Sequence, residues 1–495
     1  MRQLFPLSPT SSLDETIQFP LVHSKPLLGQ DPFELYQRIA SPLRPSFLLE
    51  SGKGQPEIAR YSFMASDPYL VLSATNGQYE IRFQDTVTRG LGDSLEAFFH
   101  LLGTSKLPRS PILPPFVGGA VGFFSYDCVR QFENLPTIAT NDLNLPDMEF
   151  LFVDLLAAID HALDTLYLIF TPSPERLLSE SHDNLVREGR SRLAELEHQL
   201  ATPIDPLVTV PLSLAPHAPE ANQTRADYVE RVQHCQALIS SGDIYQANLS
   251  HRFSINLDQS AGQSTQETGQ ALYSRLRRVN PSPFSALLVT ERLALVSSSP
   301  ERLVQLRDNR ASTRPIAGTR PRGRTAPEDR QFTAELIKNK KERAEHLMLV
   351  DLARNDLGRV CEYGSVQVDE FMTVEQYSHV AHLVSDVSGN LRTTCSAKDL
   401  IRAVFPGGTI TGVPKIRCME IIEELEPVRR GPYTGSIGYI SWTGNIDLNI
   451  IIRTLLLSQD HAYLQVGAGI VADSQPELEY EETLQKAEAL FQALQ

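Results

Sequence analysis

Between residues 201 and 224 the chain runs ATPIDPLVTVPLSLAPHAPEANQT, five prolines in 24 positions. Each proline fixes φ and removes a backbone donor, so this stretch can sustain neither a helix nor a central strand. It follows a polar segment with a strong helical pattern, ESHDNLVREGRSRLAELEHQL. The break predicts a linker or surface crossing. At 495 residues the chain also exceeds what one core commonly serves, roughly 250–300 residues. We therefore expect an amino-terminal domain over 1–200, a proline-rich linker over 201–224 and a second domain over 225–495.

Short β-like runs occur on both sides of the break. PSFLLES, YLVLSA, YEIRFQ, FLFVDLLAAID and LYLIFTP precede it, and HRFSINL, FSALLVT and LALVSSS follow, alternating with helical pieces such as DYVERVQHCQALISSG. Many strands with few clean βαβ units predict an α+β fold, with large, mostly antiparallel sheets forming a sandwich core and helices outside. The final helix is plain: Pro476 suits a first turn, and Leu484, Ala487, Leu490, Phe491 and Leu494 make one apolar stripe.

A net charge of −15 argues against nucleic acid or an anionic membrane as partner. An anionic ligand then needs a local concentration of cations. TRPIAGTRPRG, residues 313–323, holds three arginines, two prolines and two glycines. The five cysteines, Cys128, Cys235, Cys361, Cys395 and Cys418, lie far apart without CxxC spacing, which predicts a reducing compartment and no zinc site. The amino terminus has no apolar h-region, and no run of about 18 apolar residues occurs. We expect a cytoplasmic protein.

Six segments could carry chemistry. In KERAEHLMLVDLARNDLGR, Glu345 shares a helical stripe with Met348, Leu349 and Leu352; it is read either as an edge residue reaching water or as a metal ligand. Glu482 and Lys486 stand at i, i+4, opposite the last helix's stripe, and by periodicity alone make a solvated pair. FPGGTITGVPK, residues 405–415, lets backbone amides approach an anion or is only a turn before a helix, and it does not have P-loop spacing. VGAGIVADS carries a lone GxG, a weak signal. His379 and His382 lack a third ligand and read as acid/base groups or core histidines. Glu301, after Pro300 at a strand end, is a solvated loop carboxylate or a general acid.

Taken together and in order, these segments resemble the chorismate-binding enzyme family over about residues 225–490. GDIYQANLSHRF, SSSPERL, RPIAGTRPRG, AEHLMLVDLARNDLGRV, YSHVAHLVS, FPGGTITGVPK, IIIRT, GAGIVADS and YEETLQKA carry the resemblance. Upstream, FLLESGKGQPEIARYSFMASDP resembles the amino-terminal domain of the family's ammonia-using members, anthranilate synthase and aminodeoxychorismate synthase. The resemblance implies an anthranilate synthase component I-like fold. It also implies Mg²⁺ held by Glu345 and Glu482, with Arg453, Tyr433 and the amides around Gly467 and Gly469 gripping the enolpyruvyl carboxylate of chorismate. Lys486 and Thr409 are implied as further substrate contacts, with Gly318 and Thr319 in the loop at the pocket floor. Glu301, Ser365 and His382 are implied beside the departing ring hydroxyl, Glu301 as the general acid.

At position 317 many aminodeoxychorismate synthases carry a nucleophilic lysine, whereas this chain has Ala317, as anthranilate synthases do. SSSPERL, NPSPFSA, ITGVPK, NIDLNIIIRT and GDIYQANLSHRF lean instead toward aminodeoxychorismate synthase, the reading we adopt as expectation, with anthranilate synthase as the alternative. No Gly-x-Cys-x-Gly elbow surrounds any cysteine, so a separate glutaminase (amidotransferase) subunit is the expected partner. Glu50, Ser51, Arg60, Asn280 and Pro281 match the place where tryptophan binds in feedback-regulated relatives, although Phe284-Ser285 departs from that pattern.

Overall fold

A computed structural model describes residues 18–52, 58–103, 107–203, 219–257, 264–323, 325–376 and 380–495. Two 12-stranded sheets dominate it, and all their strand ladders among the described residues are antiparallel. The first sheet runs from strand Leu21–Pro26 at one edge to Gln246–Asn256 and the short Glu220–Ala221 at the other. The second runs from Ile316–Pro321 to Thr86–Leu91. Most of the expected 201–224 linker, residues 204–218, lies outside the described residues.

Strands from both sides of that stretch share each sheet. In the first, Ser46–Glu50 pairs with Phe284–Val289, Leu48 opposite Leu287. In the second, Gly119–Phe124 pairs with Ser436–Ser441, Gly122 opposite Gly438. A Cβ on Gly122 would stand 2.1 Å from Glu149 O, and one on Gly438 2.0 Å from Asp447 O. Only glycine permits such close backbone approach.

Three apolar layers follow from alternation along these strands. Phe47, Phe63, Phe116, Phe123, Leu288, Leu295, Ile437 and Tyr439 fill the space between the sheets. Helices Pro32–Ile39, His182–Ala201, Thr265–Val279 and Pro476–Leu494 cover the outer face of the first sheet through residues such as Tyr36, Leu193, Leu276 and Leu490. Ser94–Leu102, Lys340–Gly358 and Ala397–Val404 cover the second sheet. The architecture is the anticipated α+β sandwich with helices outside. No helix among the described residues is long and apolar enough to cross a membrane.

One expected strand proves to be two. FLFVDLLAAID reads as a continuous apolar run, yet Met148–Val153 lies in the second sheet and Leu155–Asp160 in the first, with Asp154 at the crossing. A second crossing joins Leu293–Ser299 of the first sheet to Arg302–Arg307 of the second through Pro300 and Glu301.

Candidate active site

Proline ends the strand before Glu301, and three backbone contacts then fix the corner. The Glu301 N–H donates to Ser299 Oγ at 3.3 Å, the Ile450 N–H donates to Glu301 O at 2.9 Å, and Ser299 Oγ donates to Ile450 O at 2.6 Å. The side chain points inward and is 7% exposed. Burial in this low-dielectric space raises the carboxyl pKa to about 7. The Thr409 hydroxyl, the Ile316 N–H and the cations of Arg453 and Lys486 oppose that rise. Glu301 and Thr409 share a cavity with Leu349, Leu352 and Asp356, so the apolar stripe of helix Lys340–Gly358 forms one of its walls.

Like Glu301, His382 lies within the influence of the Arg453 and Lys486 cations; it comes from strand Val380–Asn390. Opposite it, Ile316–Pro321 bulges: Ala317 pairs with Leu383 and Thr319 with His382, leaving Gly318 extra. Its φ of +65° and the 2.8 Å that would separate a Cβ there from Glu342 Oε2 explain the glycine in PIAGT. The bulge aims Gly318 O at His382 Nδ1, 3.1 Å away. A carbonyl can only accept, so Nδ1 carries the proton and Nε2 the lone pair. Burial and then the Arg453 cation push this imidazole down to about pH 4. Ala317 is 8% exposed.

The three arginines of TRPIAGTRPRG do not frame the cavity as expected. Arg314 is buried among Glu375, Glu370 and Asp386; Arg320 meets Glu342 at 3.1 Å, and Arg322 meets Asp329 at 2.7 Å. Neighbouring carboxylates neutralise them, so the site's cations come from elsewhere.

Arg453 is one of those cations. It sits after Ile446–Ile450 with φ +51°, a left-handed conformation uncommon for a non-glycine residue. Its carbonyl accepts from the Ser298 N–H at 3.1 Å, which holds that conformation next to the Glu301 corner. Lys486 is the other. It pairs with Glu482 at 2.8 Å, the i, i+4 contact expected from the helix, but its ammonium also donates to Gly467 O at 3.0 Å. The pair is partly exposed, and Lys486 reaches back over strand His461–Ile470.

Gly467 and Gly469 face the inside of the sandwich on that strand. A Cβ on Gly467 would lie 2.6 Å from Leu249 O and 3.0 Å from Tyr433 Oη; one on Gly469 would lie 2.6 Å from Gln246 Nε2 and 3.9 Å from Glu345 Oε1. The glycines thus open the space that Tyr433, Gln246 and Glu345 occupy. Glu345 is half-buried, and Gln246 Nε2 donates to its Oε1 at 3.3 Å. Glu345 thus meets Gln246 beside Gly469, and Lys486, the partner of Glu482, meets Gly467 two residues earlier on the adjoining strand.

Ser365 falls outside this constellation, which corrects its assignment. Its hydroxyl donates to Glu362 O at 2.8 Å and accepts from the Asn390 N–H at 3.1 Å. Asn390 and His382 are at opposite ends of one strand, roughly 27 Å apart at extended rise. Ser365 closes a surface turn. His379 lies outside the described residues, and Thr319 is placed only by its backbone pairing.

Of the residues matched to tryptophan binding, Glu50, Ser51 and Arg60 line a separate cavity between the sheets with Phe284, Arg302 and Tyr439. Their polar groups are engaged: Glu50 accepts from Tyr273 Oη at 2.5 Å and from Arg277, Ser51 Oγ donates to Tyr61 O, and Arg60 pairs with Asp160 at 2.8 Å. Asn280, followed by Pro281, donates to Ser298 Oγ at 3.1 Å.

Sequence reasoning missed the buried pair beneath the site. Arg430 and Glu426, 1% and 4% exposed at the side chain, meet at 2.6 Å. Arg430 also donates to Ile410 O and Asn248 O, and Glu426 accepts from the Ser250 N–H and hydroxyl. The pair ties the Thr409 turn to strand Gln246–Asn256, and the Arg430 guanidinium lies 5.7 Å from the Tyr433 ring centroid. The i, i+4 spacing in ELEPVRR was the available signal.

A glycine-walled cleft with a buried acid and two cations suits an enzyme that holds a small anionic molecule. The family model described as chorismate binding enzyme matches residues 44–492, and this chain belongs to that family. It is 43% identical over 466 residues to aminodeoxychorismate synthase component 1 of Bacillus subtilis, spanning 93% of this chain and 94% of the relative. To anthranilate synthase component 1 of Thermus thermophilus it is 41% identical over 469 residues, spanning 94% and 96%. The solved anthranilate synthase component I from Streptococcus pneumoniae TIGR4 superposes with a TM-score of 0.74 at 34% identity, over 87% of this chain and 92% of that one. Both enzyme names stand at nearly the same distance, so the likeness gives a chorismate-using enzyme without choosing its product.

Proposed function

We propose that this chain is the chorismate-aminating component of an aminodeoxychorismate synthase. It would replace the ring hydroxyl of chorismate with an amino group, giving 4-amino-4-deoxychorismate for 4-aminobenzoate and folate synthesis. The observation that carries the reading is Glu301: a buried carboxyl, half-protonated near neutral pH, facing two cations. Hydroxide leaves poorly, so the departing oxygen needs a proton, and an acid with a pKa near the working pH supplies it well. The amine nitrogen bonds to the ring as the carbon–oxygen bond breaks, and the hydroxyl departs as water with the Glu301 proton.

Arg453 and Tyr433 would grip the enolpyruvyl carboxylate, the guanidinium in a two-pronged contact that fixes orientation. The amides around Gly467 and Gly469, Lys486, Thr409, Gly318 and Thr319 would complete the pocket. His382, neutral down to about pH 4, would accept a hydrogen bond at Nε2 and orient a ring hydroxyl.

The donor set suits Mg²⁺. Mg²⁺ is commonly held by one or two carboxylates with waters and substrate oxygens. Glu345 and Glu482 would hold it, where it would neutralise the ring carboxylate and withdraw electron density from the ring. Ammonia would come from a glutaminase subunit in the cytoplasm; that the relatives are named component 1 supports a second component.

A second reading, anthranilate synthase, is favoured by Ala317, which provides no amine to form a covalent intermediate. One assay separates them. With chorismate, Mg²⁺ and an ammonium salt, we expect 4-aminobenzoate only when aminodeoxychorismate lyase is added. Anthranilate fluorescence without lyase would transfer the assignment to the second reading.

A further inference from the structure

The Gln246 side chain is 3% exposed and sits in a rigid frame. Its backbone pairs with Val413 across a short ladder, and its carbonyl accepts from Cys418 Sγ at 3.1 Å. Its amide has two different ends. Nε2 faces Glu345 Oε1 at 3.3 Å, an orientation chemistry enforces, because an amide oxygen turned toward that carboxylate would be repelled. The other end, Oε1, is buried with no hydrogen-bond partner.

A buried acceptor left unmade costs about 1–3 kcal/mol. Relief requires a proton donor, and a carboxylate such as Glu345 cannot be one. On the other side of the amide, residue 469 is glycine because a Cβ there would sit 2.6 Å from Gln246 Nε2 and 3.9 Å from Glu345 Oε1, so the glycine leaves room for the contact between them. We propose that Gln246 is a positioning residue, whose N–H fixes the Glu345 carboxylate and whose amide oxygen would accept a hydrogen bond from a water on the cation that carboxylate would hold. The inference rests on the reading that Glu345 binds Mg²⁺, an ion that keeps several of its waters. Groups of this kind, one step behind a ligand, commonly carry 10–100-fold of metal affinity.

The test measures binding of Mn²⁺, as the metal alone, to the purified full-length chain, by the loss of the free-ion electron paramagnetic resonance signal. Native protein is compared with Gln246→Leu, Gln246→Asn and Glu345→Gln. Leu removes both ends of the amide; Asn keeps a buried amide but is one methylene too short to reach. Both are expected to weaken Mn²⁺ binding by about 10–100-fold with the melting temperature of Gln246→Asn near native, and Glu345→Gln is expected to lose binding. If Gln246→Leu fails to fold, Gln246→Asn decides. Native affinity in the Gln246 variants with loss in Glu345→Gln overturns the positioning role alone. Native affinity in Glu345→Gln overturns the metal reading, and this inference with it.

Discussion

Twice the chain leaves one sheet for the other through a buried acid, and the two corners behave differently. Asp154, 3% exposed, is met by Arg192 in two hydrogen bonds of 2.7 and 2.9 Å and by Arg176 at 3.7 Å. Arg192 belongs to helix His182–Ala201, so this acid straps a helix onto the corner of the sandwich. Glu301 occupies the equivalent topological place, yet Arg453 and Lys486 act on it through space, and burial prevails, raising it to about pH 7. A sheet crossing brings an acid inside; contact with a guanidinium makes it a strut, and the lack of such contact leaves it able to exchange a proton.

The largest test of that contrast is Glu301→Gln. Amide cannot give up a proton, so kcat should fall by about 10²–10⁴-fold, the usual span for losing a general acid. In the native enzyme the acid must be protonated, so activity should decline as pH rises through about 7, and the variant's residual rate should not share that decline. A native kcat that stays flat from pH 6 to 9 would remove Glu301 from the role.

Glu149 sharpens the comparison, because it shares burial with Glu301 but not the cleft. It lies on Met148–Val153, four strands from Arg302–Arg307 across the second sheet, and is 3% exposed. Burial lifts it to about 7, opposed by the Thr290 hydroxyl and Arg292. A carboxyl raised on folding contributes stability below its unfolded value, and that contribution is lost as pH climbs through the folded value. From 4.5 to about 7, at 1.36 kcal/mol per unit, the loss is about 3 kcal/mol. Glu149→Gln should therefore gain about 3 kcal/mol relative to native between pH 4.5 and 8 by urea denaturation, with kcat unchanged. A smaller effect follows from Asp154→Asn, which should lose about 2 kcal/mol by weakening charge-assisted bonds, again with native kcat.

These differences set what the residues could say in advance. Proline before Glu301 marked a strand end, so that corner was legible; Asp154 lies in an unbroken apolar run, and only the distant Arg192 reveals its turn. The GxG of GAG was only a weak signal, because nothing in its neighbours shows that Gln246 and Tyr433 use the room the glycines leave. The arginines of the 313–323 loop misled because local charge density cannot show that Glu375, Glu342 and Asp329, remote or on the far side of a turn, already neutralise them. Periodicity put Glu482 and Lys486 at i, i+4 opposite the stripe, where they form a partly exposed pair; it could not foresee that a four-carbon stem lets Lys486 reach Gly467 O.

The smallest expected effect belongs to Ser365→Ala, and its smallness is informative. The hydroxyl bridges Glu362 O and the Asn390 N–H on a partly exposed turn, where water can replace it. Its loss should cost no more than about 1 kcal/mol and leave kcat and the pH profile at native values. Because Ser365 and His382 hang from the two ends of one strand, a change in kcat could reach the cleft only if that strand shifted as a unit, which would lower the melting temperature as well. A kcat loss of tenfold or more at native melting temperature would mean the turn approaches the substrate after all, and the boundary drawn here around the acid's corner would have to move.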